Sequence, residues 1–157
     1  MRQGQKSTRH SRPLVLGINA AYHHSSAAIV SPEGILAAVE EERFNRVQHG
    51  KDTDVATTYH LPVHAIDYCL QAAGATLKDV DSIAYSFSPG ERRRRGAEIA
   101  RLGPVVDGGY ETLEGDRRFV SLIEASPAIL AACHGLSERS VRQKWVWVDH
   151  HRAHLAS

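Results

Sequence analysis

Apolar residues along the chain fall into short blocks of two kinds. Leu14 to Ile18, Ala27 to Val30 and Ile35 to Val39 are β-rich runs, and the last two are joined by Ser31-Pro32-Glu33-Gly34, a turn by composition. They predict a three-stranded antiparallel meander. From Pro62 the spacing changes: Val63, Ile66, Leu70 and Ala73 share one side of a helix that opens at Pro62 and stops at Gly74. Asp81 to Phe87 alternates into a fourth strand, ended by Ser88-Pro89-Gly90. Phe119 to Leu136 is helical in spacing, with a kink or restart at Pro127. Lys144 to Val148 (KWVWV) reads as a short buried strand, and the small-apolar pattern after it as the first turns of another helix. The stretch from Val47 to His60 and residues 91 to 116 show no usable period.

Composition narrows the function classes. A chain of 157 residues with 42% hydrophobic content is one domain able to bury a core. Its net charge of +1 argues against a nucleic-acid module, which needs a marked basic excess. Positive charge is local, in Arg2, Lys6, Arg9 and Arg12 and in the run Arg92 to Arg95. Residues 1–12 read as a disordered basic leader ahead of a domain at 13–157. The leader has no apolar h-region, and no stretch of 18 apolar residues occurs, so neither secretion nor a membrane partner is expected. Cys69 and Cys133 sit in apolar helical patterns and read as buried free thiols of a reducing, cytoplasmic protein. The Arg92 to Arg95 run reads as a solvated loop, with a phosphate-facing loop as the alternative.

Three segments carry candidate chemistry. In the loop Asn19 to Ala27, backbone N–H groups and the hydroxyls of Ser25 and Ser26 suit an anion, while His23 and His24 suit a general base. An ordinary solvated hairpin is the competing interpretation. The block Glu40-Glu41-Glu42-Arg43-Phe44-Asn45-Arg46-Val47-Gln48-His49-Gly50-Lys51 can neutralise itself as surface ion pairs. Alternatively Arg43, Arg46 and Lys51 bind phosphate. In Asp149-His150-His151-Arg152-Ala153-His154, His150 and His154 share a helix face and can converge on one metal ion, with Asp149 adjacent. That segment follows a strand's carboxyl end, where sites of α/β domains collect.

Three strands followed by alternating helices and strands is the order of one lobe of the actin-like ATPase (ribonuclease-H-like) fold, and the motifs point the same way. VLGINAAYHHSSAAIV, GILAAVEEERFNRVQHGK, LPVHAIDYCLQAAG and DHHRAHLAS resemble, in order, segments of the carbamoyltransferase family that includes nodulation and antibiotic O-carbamoyltransferases. The resemblance spans residues 14 to 157. It implies a partial actin-like domain whose metal, iron or zinc, is held by His150 and His154. It also implies carbamoyl transfer from carbamoyl phosphate and ATP, through a carbamoyl-adenylate, to a hydroxyl. The implied acceptor is a small molecule or a glycan, such as a nodulation lipo-chitooligosaccharide. His23 would take the hydroxyl proton, and Arg43 and Arg46 would steady phosphate. Two departures stand out: His24 where relatives commonly have Asp, and Gln48 where they commonly have Lys. Relatives are also several times longer, so a second polypeptide or a downstream segment is expected to complete the domain, with this chain inactive alone. The rival expectation is a non-catalytic remnant or interaction subunit that keeps the fold and the metal-binding histidines.

Overall fold

The computed structural model of the protein describes residues 12–21, 24–50, 61–102 and 113–155. Apart from Arg12, the expected leader lies outside them, as do His23 and Lys51. Five strands, β1 (Val15–Asn19), β2 (Ser26–Ser31), β3 (Gly34–Glu40), β4 (Ser82–Tyr85) and β5 (Trp145–Trp147), form one sheet in the order β3-β2-β1-β4-β5. The first three make the expected antiparallel meander, and β4 and β5 add to it in parallel with β1. The helices are α1 (Glu42–Asn45), α2 (Val63–Ala72), α3 (Pro89–Leu102), α4 (Leu113–Glu124), α5 (Ser126–Cys133), α6 (Glu138–Arg142) and α7 (His150–Leu155), with one 3₁₀ turn at Gln48–Gly50.

Period-two patterning puts Leu16, Ile18, Ala27, Ile29, Ile83 and Tyr85 on one face of the sheet, where they are buried with Ala65, Ile66, Cys69 and Leu70 of α2. Helix α2 ends as expected at Gly74, whose φ of 62° closes the terminus while Ala75 N–H donates to Leu70 O at 2.9 Å. The helical region around Pro127 is two helices, α4 and α5, with Pro127 in the first turn of the second, where its missing N–H costs nothing.

Three expectations need correction. Residues 89–102 are helix α3, so the Arg92 to Arg95 run is helical; its charges mask a polar helix that has no strong apolar stripe. Glu91 pairs with Arg94, one turn away, and Glu124 with Arg93 across to α4. The strand β5 is an edge strand, since nothing among the described residues pairs beyond it, and Val146 is 48% exposed. Its Trp145 and Trp147 nevertheless pack on Tyr85, with ring centroids 5.7 and 5.4 Å away. Cys133 is exposed at the end of α5, whereas Cys69 is buried against Ala27 O. Burial raises the Cys69 thiol pKa, which keeps it protonated.

Candidate functional site

The carboxyl ends of β1, β4 and β5 lie along one edge of the sheet, and a single line of hydrogen bonds joins them. Ser86 Oγ donates to Asn19 Oδ1 at 2.6 Å, Asn19 Nδ2 donates to His24 O at 2.9 Å, and His150 Nδ1 lies 3.4 Å from Ser86 O. The loop after β1, the residue after β4 and the helix after β5 are thereby held together. This is the position at which α/β sheets place their sites.

Helix α7 begins with its own cap. Asp149 Oδ1 accepts the N–H groups of His151 and Arg152 at 3.1 and 3.2 Å. The Arg152 N–H, followed by the His151 N–H and the positive charges of His151 and Arg95, holds this carboxyl below the usual range. Asp149 therefore serves the helix end. One turn on, His154 Nε2 lies 3.2 Å from His150 Nε2, with ring centroids 4.6 Å apart. Because a carbonyl can only accept, the contact with Ser86 O suits the tautomer with its proton on Nδ1, which presents an Nε2 lone pair on the side of His154. Two imidazole nitrogens sharing an ion at about 2.1 Å lie roughly 3.0–3.4 Å apart. Metal-binding histidines typically donate their other N–H to a carbonyl, as His150 does to Ser86. The pair thus fits a divalent ion. Among the described residues no group of three or more His, Cys, Asp or Glu is gathered for a metal. His151 turns away, its Nε2 3.3 Å from Arg95 Nη1.

The block of charge after β3 folds around a buried carboxylate. Glu41 is 5% exposed; its Oε2 accepts Ala65 N–H at 2.8 Å, and its Oε1 lies 2.5 Å from His64 Nδ1. It caps α2 from 24 residues upstream, which corrects the expectation of a surface ion-pair block. Glu42 Oε2 accepts His49 N–H at 2.9 Å, and Asn45 Nδ2 donates to Gly50 O at 2.8 Å. Ser25 N–H donates to His49 O at 3.0 Å and Glu41 N–H to Ser25 O at 2.8 Å, so this segment is tied to the start of β2. Gly50 is required: its φ is 72°, and a β-carbon there would meet Glu41 Cβ at 2.8 Å. One result is a second imidazole contact, His49 Nδ1 to His24 Nε2 at 2.9 Å.

Between these features the uncovered face of the sheet forms an open cavity of about 710 Å³. One rung across it reads Ala38, Ala28, Gly17, Ala84 and Val146, in register over all five strands, with small residues on the first four. Asn19, Ser26, Glu40 and Arg43 line its polar end, and Val148 and Ala153 its α7 side. Of the expected anion ligands, Ser26 and Arg43 therefore line the cavity. Ser25 is buried, and Arg46 is exposed at the end of α1 with φ 60°. His49 and Glu41 were missed. Both lie in the motif block, but their partners are 25 and 23–24 residues away, and no periodicity reports that.

The family model described as "Carbamoyltransferase N-terminus" matches residues 14–157. The chain belongs to that family. The chain is 44% identical over 75 residues to an uncharacterized protein of Synechocystis sp., a match covering 48% of this chain and 11% of the relative. It is 42% identical over 82 residues to nodulation protein NolNO of Sinorhizobium fredii, covering 52% and 11%. A third relative, an uncharacterized 19.2 kDa protein in the syrM 5' region of Rhizobium etli, is 42% identical over 67 residues, covering 43% and 34%. The matches thus take in about a tenth of the two longer relatives. No helix among the described residues of this family member is long and apolar enough to cross a membrane.

Proposed function

We propose that this chain is the histidine-bearing N-terminal part of an O-carbamoyltransferase, built on an actin-like, ribonuclease-H-like lobe. The observation that carries the reading is the His150–His154 pair, with Nε2 atoms 3.2 Å apart at the carboxyl edge of a sheet whose whole length matches the carbamoyltransferase N-terminal family. A parallel pair of strands added to an antiparallel meander, in the order β3-β2-β1-β4-β5, supports the lobe assignment.

In this reading His150 and His154 hold iron or zinc, which when bound supplies Lewis-acid polarisation of a carbonyl oxygen. The remaining roles fall to side chains of the edge. Arg43, in the cavity wall, binds the phosphate of carbamoyl phosphate or of the adenylate made from it and ATP. Ser26 and Asn19 offer hydrogen bonds at the same end of the cavity. His23, next to His24 in sequence, accepts the proton of the attacking hydroxyl. The hydroxyl oxygen attacks the carbamoyl carbon of the adenylate and forms the new C–O bond, AMP leaves with the electrons of the broken bond between that carbon and the phosphate oxygen, and the imidazole keeps the proton.

The uncovered small-residue face and the fraction of the longer relatives matched support completion by a further segment or a second polypeptide. A test follows directly. Carbamoyl transfer from carbamoyl phosphate and ATP to a chitooligosaccharide is assayed with the chain alone and with the remainder of S. fredii NolNO, recording bound metal. Activity confined to the mixture and abolished by His154→Ala, with loss of metal, is expected. Equal activity of His154→Ala would sink the metal role.

A second reading, a non-catalytic subunit that keeps the fold and the metal-binding histidines, draws on the short R. etli relative, whose name gives 19.2 kDa. Bound metal without transfer in either arm of the assay would select it.

A further inference from the structure

The second imidazole pair has a geometry of its own. Helical spacing brings His150 and His154 together, whereas His24 and His49 meet only because two loops are fastened side by side. Hydrogen bonds clamp His49 on both sides: its N–H donates to Glu42 Oε2 at 2.9 Å and its carbonyl accepts Ser25 N–H at 3.0 Å. Within that clamp His49 takes a left-handed backbone, φ 65°, which side-chain-bearing residues rarely adopt. Residues are held in such conformations when the surroundings over-determine them, and functional sites are where such residues concentrate. The consequence is a ring placed edge-on to His24, centroids 4.3 Å apart and planes at 83°, with His49 Nδ1 2.9 Å from His24 Nε2. Behind His24, its other nitrogen faces Glu40 Oε1 at 3.9 Å.

We propose that His24 and His49 form a second divalent-metal site, of the zinc–copper class, separate from the His150–His154 pair. The two nitrogens, 2.9 Å apart, lie a few tenths of an ångström inside the roughly 3.0–3.4 Å that neighbouring ligands of one ion keep, so a small opening of the two rings admits the metal. Negative charge near a ligating imidazole favours the bound cation, and Glu40 supplies it 3.9 Å from His24 Nδ1. An all-imidazole pair selects zinc, copper or nickel over magnesium and calcium, which take oxygen ligands. With His24 half exposed, the other positions on the ion stay open to water or to an anion entering the neighbouring cavity, where Arg43 adds positive charge. A simple N–H···N hydrogen bond between neutral rings uses the same two atoms, so the decisive evidence is binding.

The experiment is zinc titration calorimetry on the tag-free full chain, with imidazole nitrogens followed by NMR. The double variant His150→Ala/His154→Ala removes the helical pair and is expected to keep one zinc equivalent, with the His24 and His49 rings shifting on binding. Adding His49→Asn, a residue that tolerates the left-handed backbone, is expected to weaken that equivalent at least tenfold, and Glu40→Gln severalfold. Where the Asn variant melts early, His24→Gln at the half-exposed partner gives the same readout. A folded double variant that binds no zinc, or binds it equally after His49→Asn and His24→Gln, would overturn the proposal and leave a hydrogen-bonded pair. Conversely, His24→Gln in the otherwise native chain keeps the helical equivalent, so the two sites stand or fall separately.

Discussion

The junction after β3 and the junction after β5 do similar things by opposite means. Each begins with a carboxylate at the end of a strand that caps a helix, and each delivers two imidazoles with nitrogens about 3 Å apart. After β5 everything is local: Asp149 caps the helix it precedes, and the pair is i,i+4 on that helix. After β3 everything is remote: Glu41 caps α2 from 24 residues upstream, and the histidines are 25 residues apart. The local device is cheap and exposed, so its parts change with little effect elsewhere. The remote device is buried and coupled to the core, so its histidines are only as well placed as the fold is intact.

Glu41 is the place where the comparison breaks most sharply. Glu41→Ala leaves the Ala65 and His64 N–H groups without their acceptor at a buried helix terminus, and a loss of about 2–3 kcal/mol is expected in urea unfolding. The NMR contact between His24 and His49 should disappear with it while that between His150 and His154 persists. Persistence of both would show that the capping carboxylate does not position the remote pair. Gly50→Ala comes next, at about 1–2 kcal/mol, because it adds a β-carbon 2.8 Å from Glu41 Cβ on a left-handed backbone. Full stability of this variant would mean the two loops are less tightly fastened than the distances require.

The β5 side should respond far less. His154→Ala is expected to move the melting temperature by no more than a degree or so, as an exposed position, while abolishing the metal equivalent of that pair. A large drop in stability would show that α7 is more than a local appendage. Smallest of all is the effect of pH on the Asp149 cap. Its pKa is lower in the folded chain, so the unfolded chain binds the proton first as pH falls. The contribution of the cap is therefore complete above the ordinary carboxylate range and is lost as pH drops through the folded value. A carboxyl ¹³C titration should place Asp149 below a random-coil aspartate, accompanied by fraying confined to α7. A midpoint at or above the random-coil value would remove the cap.

The same contrast explains what was readable beforehand. The meander, α2 with its stop at Gly74 and the break at Pro127 follow from period and punctuation, which act over a few residues. Helix α3 escaped because its arginines and glycine carry no apolar stripe, and it is held against α4 by pairs such as Arg93 with Glu124. The exposure of Cys133 and of one side of β5 depends on what packs opposite them, which neighbouring residues do not encode.

By itself the sequence determined the order of the five strands, the helices α2 and α5, the helical histidine pair and the family motifs, since each is written in spacing or in residue identity. Only the tertiary structure decided that Glu41 is a buried cap and that His49 reaches His24. It also decided that Gly17, Ala28, Ala38 and Ala84 line up as one smooth rung. Those contacts join residues from separate strands and loops, and the free energy that selects them comes from burial of the shared core rather than from any local preference.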